Sequence, residues 1–211
     1  GRPQTGDVFR SCLEVVLRCL DAWPRDASVR SKVTAFLHRM IEILGPTVTQ
    51  YLAPAIDKLR HDAGTVELRE TLVLFNQLIA TYQTLLAPLV IEVLPGLTTQ
   101  VFETTAQAYR QAEVQSQGTD VLLNTEMCRE AGELERTWLT TAAALGTNNL
   151  VSEVFTGVNL DRTAQLREQS LLRLVEATTN HTMVSARKVA IQALRAFVDA
   201  WMADSNVTPG V

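Results

Sequence analysis

The apolar pattern of one stretch, Val29 to Leu44 (VRSKVTAFLHRMIEIL), returns further along the chain, and this recurrence limits the fold more than any single residue does. Val29, Val33, Phe36, Leu37, Met40, Ile41 and Leu44 recur at three- and four-residue steps. At about 3.6 residues per turn these steps stack them on one side of a helix. Ser31, His38 and Glu42 take the opposite side, with Lys32 and Arg39 on its flank. A shift of 38 residues places Leu74, Phe75, Leu78, Ile79 and Tyr82 on Phe36, Leu37, Met40, Ile41 and Leu44. A shift of 157 places Arg187, Leu194, Phe197, Asp199 and Trp201 on Arg30, Leu37, Met40, Glu42 and Leu44. A helical unit that repeats in this way buries its apolar face against neighbours of its own kind, at roughly the 40 to 47 residue length of HEAT repeats.

The punctuation of the chain divides it into antiparallel helix pairs. Asp7 to Ala22 reads as a first helix with Val8, Cys12, Val15, Val16, Cys19 and Leu20 on its inner face. Trp23-Pro24 closes it, because the residue before proline is pushed out of the α region. Ser28 is the expected N-cap of the next helix and Gly45-Pro46 its stop. A helix from Thr47 or Val48 to Asp62, bent at Pro54, is expected to pair with Val66 to Tyr82. A proline-interrupted helix from Leu86 to about Gln111 follows, then a polar stretch, Glu113 to Gly118, read as a loop or a fraying end. Asp120 to Leu145 carries a stripe of Leu134, Trp138, Ala142 and Leu145, and a short helix lies around Leu150 to Phe155. Leu160 to Thr178 and Met183 to Met202 form the last pair. The expectation is an all-α fold, an α-solenoid of about four HEAT-type pairs spanning about 7–45, 47–84, 86–146 and 158–204 within one segment. No period-two strand pattern competes; the rival arrangement is a helical bundle.

The start, GRPQTGDVFR, has neither a methionine nor a signal peptide, so the chain reads as part of something longer. No window holds the 18 or so uninterrupted apolar residues of a membrane span, and no membrane partner is expected. Three cysteines, Cys12, Cys19 and Cys128, form no paired framework and read as reduced thiols.

Reactive constellations are lacking. His38, His61 and His181 sit in different units without a carboxylate or second histidine at ligand spacing, so they read as solvated or capping residues and no metal is expected. There is no GxSxG, HExxH or glycine-rich phosphate loop, and therefore no enzyme and no cofactor is expected. Glu126, Glu130, Glu133 and Glu135, interleaved with Arg129 and Arg136, read as a solvated helix face.

Charge is unevenly spread over a net −4. Residues 1–61 hold nine Lys/Arg against six Asp/Glu, residues 62–160 four against twelve, and residues 161–211 six against five. A generic polyanion binder is excluded; any nucleic acid must be held by the basic ends. Arginine dominates, 16 to three lysines, and its planar fork suits phosphate, carboxylate or backbone partners. Arg30 and Arg187, each just inside a second helix, read as structural repeat arginines, with Asp26 the expected partner of Arg30. Lys32 and Arg39, and Lys188 and Arg195, are each seven apart on an exposed helix side. Since second helices line the concave surface of a HEAT array, these four are the candidate ligand contacts. The aromatics Trp23, Trp138, Trp201, Phe36, Phe75 and Phe197 read as core or helix ends rather than base-stacking platforms.

Phe36-Leu37-His38-Arg39-Met40-Ile41, then Thr49-Gln50-Tyr51-Leu52-Ala53-Pro54-Ala55, then Phe75-Asn76-Gln77-Leu78-Ile79, continuing through Leu86 to Thr104, resemble the C-terminal arch of the exportin-T family. These are karyopherins that export tRNA from the nucleus. The likeness is densest from about 29 to 105 and thinner through 121–202. It implies a HEAT-repeat carrier that wraps tRNA together with Ran-GTP, shuttles between nucleus and cytoplasm, and meets nuclear pore proteins. The principal Ran-binding repeats of that family lie outside the stretch matched here. No family motif selects individual tRNA ligands, so Lys32, Arg39, Lys188 and Arg195 rest on helix geometry. The alternatives are a protein-binding HEAT scaffold, or another karyopherin segment that binds no RNA.

Overall fold

A computed structural model describes residues 2–116, 126–155 and 160–205. The described elements are α1 (Arg2–Ala22), α2 (Ala27–Leu44), a 3-10 turn (Gly45–Tyr51), α3 (Leu52–Arg60), α4 (Thr65–Tyr82), a second 3-10 turn (Gln83–Leu86), α5 (Ala87–Ser116), α6 (Glu126–Thr147), α7 (Leu150–Phe155), α8 (Leu160–Asn180) and α9 (Val184–Ser205). No strand occurs among the described residues. The helices pack as antiparallel pairs, α1 with α2, α3 with α4, α5 with α6 and α8 with α9. First helices α1, α3, α5 and α8 follow one another in one layer, and second helices α2, α4, α6 and α9 in the other. This is an all-α solenoid. The short α7 wedges against α5, α6, α8 and α9.

One hydrophobic core runs without a break from Phe9 of α1 to Phe197 of α9, through Leu37, Ile56, Leu72, Phe75, Leu78, Val90, Leu97, Leu134 and Leu145. The stretch Thr65–Val114 is long and apolar enough to cross a membrane by composition, contrary to the sequence expectation. It is nevertheless two helices parted by a 3-10 turn, and 50% of its most apolar window is buried inside the stack. Core helices of a packed layer have that composition because both flanks are covered.

The repeat seen in the apolar pattern extends to the backbone. α2 ends at Gly45 with φ 64° and an amide bonded to the carbonyl of Ile41. α4 ends 38 residues later at Gln83, with φ 48° and an amide bonded to the carbonyl of Ile79. Both helices run straight on into a 3-10 turn. Gly45 adopts the left-handed conformation freely, whereas Gln83 does so against its Cβ. The Tyr82 hydroxyl donates to the Ile41 carbonyl at 2.9 Å and so ties one helix terminus to the next.

Several local expectations are corrected. Asp26, not Ser28, caps α2, its carboxylate accepting from the Val29 amide at 2.9 Å. Pro54 falls in the first turn of α3, where its missing amide is an unbonded position anyway, so it bends nothing. α5 runs through Pro95 to Ser116, so the first part of the polar stretch is helical; Gln117 and Gly118 lie outside the described residues. On α1 the inner face is Phe9, Leu13, Leu17 and Leu20, while Val8, Cys12, Val15 and Cys19 point outward. On α2 the fully buried set is Arg30, Val33, Thr34, Leu37 and Ile41. The buried stripe is therefore turned toward α4, and Val29, Phe36, Met40 and Leu44 are half-buried beside it.

Arg30 is 3% exposed. Its guanidinium donates to the carbonyls of Pro24 at 2.6 Å, His61 at 3.2 Å and Leu59. Asp26 is not among its partners. Arg187 makes the equivalent bond six residues back, to the His181 carbonyl at 2.5 Å. Burial pushes the Arg30 pKa down, while Glu67, Asp62 and Glu70 pull it up. Arg30 thus closes two turns at once, joining the first helix pair to the second.

Two substitutions test the packing. Arg30→Ala strips the buried Leu59 carbonyl and the part-buried Pro24 and His61 carbonyls of their donor and is expected to cost about 3 kcal/mol, measured by urea unfolding. At the α6–α9 contact, a Cβ on Gly146 would lie 2.3 Å from the Cβ of Ala196. Gly146→Val must force those helices apart, and a loss of about 1–3 kcal/mol is expected in the same assay.

Candidate functional site

Lys32, Arg39, Lys188 and Arg195 are all exposed. Lys32 and Arg39 project from α2 on the side opposite its buried stripe, and Lys188 and Arg195 do the same from α9. The structure does not bring the two pairs together, because α2 and α9 are the two ends of the second-helix layer with α4 and α6 between them. Arg195 Nε lies 3.6 Å from Asp199 Oδ2 within its own helix. Among the described residues no carboxylate pairs with Lys32, Arg39 or Lys188. A long polyanion bridging the layer would meet cations at both ends. Along α6 it would meet Glu126 paired with Arg129 at 3.9 Å, Glu133 paired with Arg136 at 2.9 Å, and Glu130, which accepts from the Thr65 hydroxyl at 3.1 Å.

Glu135 departs from its acidic neighbours. Its carboxylate is buried and gathers groups from three other places in the chain. Tyr109 of α5 donates its hydroxyl to Glu135 Oε2 at 3.3 Å. Arg173 of α8 donates to Oε1 and also bonds Glu176 Oε2 at 3.2 Å, its guanidinium centre 5.6 Å from the centroid of the Phe102 ring. His181, in the turn between α8 and α9, places Nε2 3.3 Å from Glu135 Oε2, too far off line for a hydrogen bond. Its Nδ1 accepts from the Met183 amide at 3.1 Å, which puts the ring proton on Nε2, facing the carboxylate. The expectation of a solvated or capping His181 without a carboxylate partner, and of a solvated Glu135, is therefore overturned. His38 and His61 hold other positions, one 2.5 Å from Gln77 Oε1 across to α4 and one exposed beside the Asp57 carbonyl.

These groups line a cavity of about 360 Å³ with Phe102, Trp138, Leu139 and Ala177 as its apolar walls. Burial raises the pKa of Glu135, but His181 and Arg173 outweigh it and hold the carboxyl below its ordinary value. Arg173 is pushed up, since Glu135 and Glu176 outweigh its own burial. Tyr109 is pushed up by burial and by the neighbouring Glu135. Each carboxylate oxygen of Glu135 accepts from a side chain of the protein itself, Oε1 from Arg173 and Oε2 from Tyr109, with His181 Nε2 alongside, so the cluster is a polar tie across α5, α6, α8 and the α8–α9 turn. No group of three or more His, Cys, Asp or Glu able to hold a metal ion occurs among the described residues. The sequence did carry a trace of this tie: Glu135 shares its helix side with Ala131, Leu139 and Ala142, which Glu126, Glu130 and Glu133 do not.

Stacked antiparallel pairs with a continuous core and helix-end ties between neighbours define an α-solenoid segment of the HEAT kind. A family model described as Exportin-T matches residues 2–210. The exportin-T of Arabidopsis thaliana is 31% identical over 206 residues, covering 96% of this chain and 19% of the relative. That of Oryza sativa is 28% identical, covering 98% and 20%, and that of Homo sapiens 24% over 195 residues, covering 92% and 19%. No solved structure matches at a significant level. The chain belongs to the exportin-T family, and it spans about a fifth of the length of these relatives.

The sign of the Glu135 shift predicts an acid response. A carboxyl held below its ordinary value stabilises the fold in full above that value, 4.5, and the stabilisation fades as pH falls through it toward the lowered one. Glu135→Gln leaves Arg173 buried without its counter-charge. It is expected to cost about 2–4 kcal/mol at neutral pH and to flatten the acid limb of a stability-versus-pH curve measured by urea unfolding.

Proposed function

We propose that this chain is one HEAT-repeat segment, with pairs at about 7–45, 47–84, 86–146 and 158–204, of a longer nuclear export receptor that carries tRNA out of the nucleus. The observation that carries the reading is the exportin-T family match over residues 2–210. In this reading the receptor is a carrier and not an enzyme. It takes up tRNA together with Ran-GTP, chiefly through repeats outside this segment, passes nuclear pore proteins, and shuttles between nucleus and cytoplasm. The segment supplies part of the surface around the tRNA. Lys32, Arg39 and Lys188, exposed and without an acidic partner among the described residues, together with the Asp199-paired Arg195, contact phosphates rather than bases. Recognition of folded RNA by shape and backbone suits this arrangement. Arg30 and Arg187 serve the repeat, Arg30 donating through Nη1 and Nη2 and Arg187 through Nε to backbone carbonyls.

A second reading, a protein-binding scaffold, draws on the acidity of residues 62–160, with twelve Asp/Glu against four Lys/Arg. A basic protein retained on the full-length receptor at low salt while tRNA is not, with Ran-GTP supplied, favours it.

The direct test is Lys32→Glu with Arg39→Glu in the full-length protein. Weaker tRNA binding in the presence of Ran-GTP is expected, with a salt slope lower by about one unit per lost phosphate contact. Unchanged affinity and slope would remove these two residues from the interface.

A further inference from the structure

The cavity walled by Phe102, Trp138, Leu139 and Ala177 holds polar groups but no spare charge. Arg173 is bonded to both acids that line it, Glu135 and Glu176, and lies over the Phe102 ring. An entering cation would have to displace that arginine, and an entering anion would face two carboxylates held by a single guanidinium. One polar atom of the lining is unused. His181 is 8% exposed, and its Nε2 has no hydrogen-bond partner, since Glu135 Oε2 at 3.3 Å is off line. A buried donor in that state costs free energy that an acceptor of the right shape would return. The ring is also fixed before any ligand arrives. Its Nδ1 accepts from the Met183 amide at 3.1 Å, and the His181 carbonyl accepts from Arg187 Nε at 2.5 Å. α6 comes close to the same turn at Gly132, where an added Cβ would stand 3.3 Å from Met183 Sδ and 4.0 Å from His181 Cε1. A donor held in this way loses little freedom on binding.

We infer that this cavity is a binding site for an uncharged heterocyclic base, taken up as a free nucleoside or presented unpaired by an RNA. Its volume of about 360 Å³ lies within the range of about 300–1,000 Å³ usual for small-molecule sites. Aromatic and guanidinium walls suit a flat ring, and the His181 N–H suits a ring nitrogen or carbonyl oxygen. At the mouth, exposed Asn180 offers an amide that donates and accepts at once. An aliphatic occupant would leave His181 Nε2 unpaired, and a charged one would meet no free counter-charge. The RNA source rests on the proposed reading of the chain as part of a tRNA carrier; the site itself does not.

The experiment is saturation-transfer NMR on the folded full-length protein, without tRNA or Ran-GTP. The probes are adenosine, guanosine, cytidine and uridine, with arginine amide, methyl phosphate and N-acetyltryptophanamide as the cationic, anionic and peptide-like comparisons. At least one nucleoside is expected to bind. Ala177→Leu, which fills the cavity, and His181→Phe, which keeps a ring but removes the donor, are each expected to weaken it about tenfold. His181→Gln, which returns an N–H near the Nε2 position, is expected to recover part of the loss. Absence of nucleoside binding, binding indifferent to both substitutions, or tighter binding of any comparison compound overturns the assignment, and N-acetyltryptophanamide as the winner would mark a peptide site. Photolabelling of the unaltered protein with 8-azidoadenosine needs no variant: label is expected on peptides bearing Tyr109, Trp138 or His181, and label elsewhere alone overturns it. Binding of tRNA in the presence of Ran-GTP then separates the sources. Weakening of about fivefold or more by Ala177→Leu assigns the base to the RNA, and unchanged affinity assigns it to a free nucleoside. Since the nucleoside measurements contain no tRNA, their failure leaves the tRNA reading intact, and failure of tRNA binding leaves the nucleoside site intact.

Discussion

Each helix pair in this chain has more apolar surface than its own two helices can cover. α4 has eight buried residues, from Leu68 to Tyr82, and they are sealed only because α2, α3, α5 and α6 all reach it. Removal of such side chains from water is the main favourable term in folding, and here it is obtained by stacking rather than by closing one compact bundle. Everything else in the molecule follows from having to make those stacked contacts in register.

Register is set by polar ties at the ends and joints of the pairs. Arg30 satisfies carbonyls of two successive turns, the Tyr82 hydroxyl reaches back to Ile41, and Glu135 collects Tyr109, Arg173 and His181. Each is buried or nearly so. A slip of one pair against the next would leave an unpaired donor or acceptor away from water, at a cost comparable to a lost core side chain. The apolar stripes supply most of the attraction between layers, and these ties select one alignment among the several that stripes alone would allow.

The surface is arranged differently. Cations on α2 and α9 stand at the two ends of the second-helix layer, while on α6 Glu126 and Glu133 each pair with an arginine one turn away and Glu130 accepts from the Thr65 hydroxyl. Exposed pairs of that kind contribute little stability, and they offset only part of the acidity of residues 62–160, with twelve Asp/Glu against four Lys/Arg.

The recurrence at 38 residues, the helix stop at Gly45 and the all-α architecture can be read from the chain, because they depend on residues within a few turns of one another. Periodicity reports that a helix has an apolar edge. On α1 two edges compete, Val8-Cys12-Val15-Cys19 and Phe9-Leu13-Leu17-Leu20, and only the arrival of α2 and α3 on one side decided which is core. Arg30 was legible as a repeat arginine, but not the carbonyls it serves, since two of them lie about 30 residues further on. Glu135 and His181, 46 positions apart, have no local relation at all. Their meeting was decided by how α6, α8 and α9 pack, since a side chain's partners across the core depend on the crossing of whole helices and leave no mark on the spacing within any one of them.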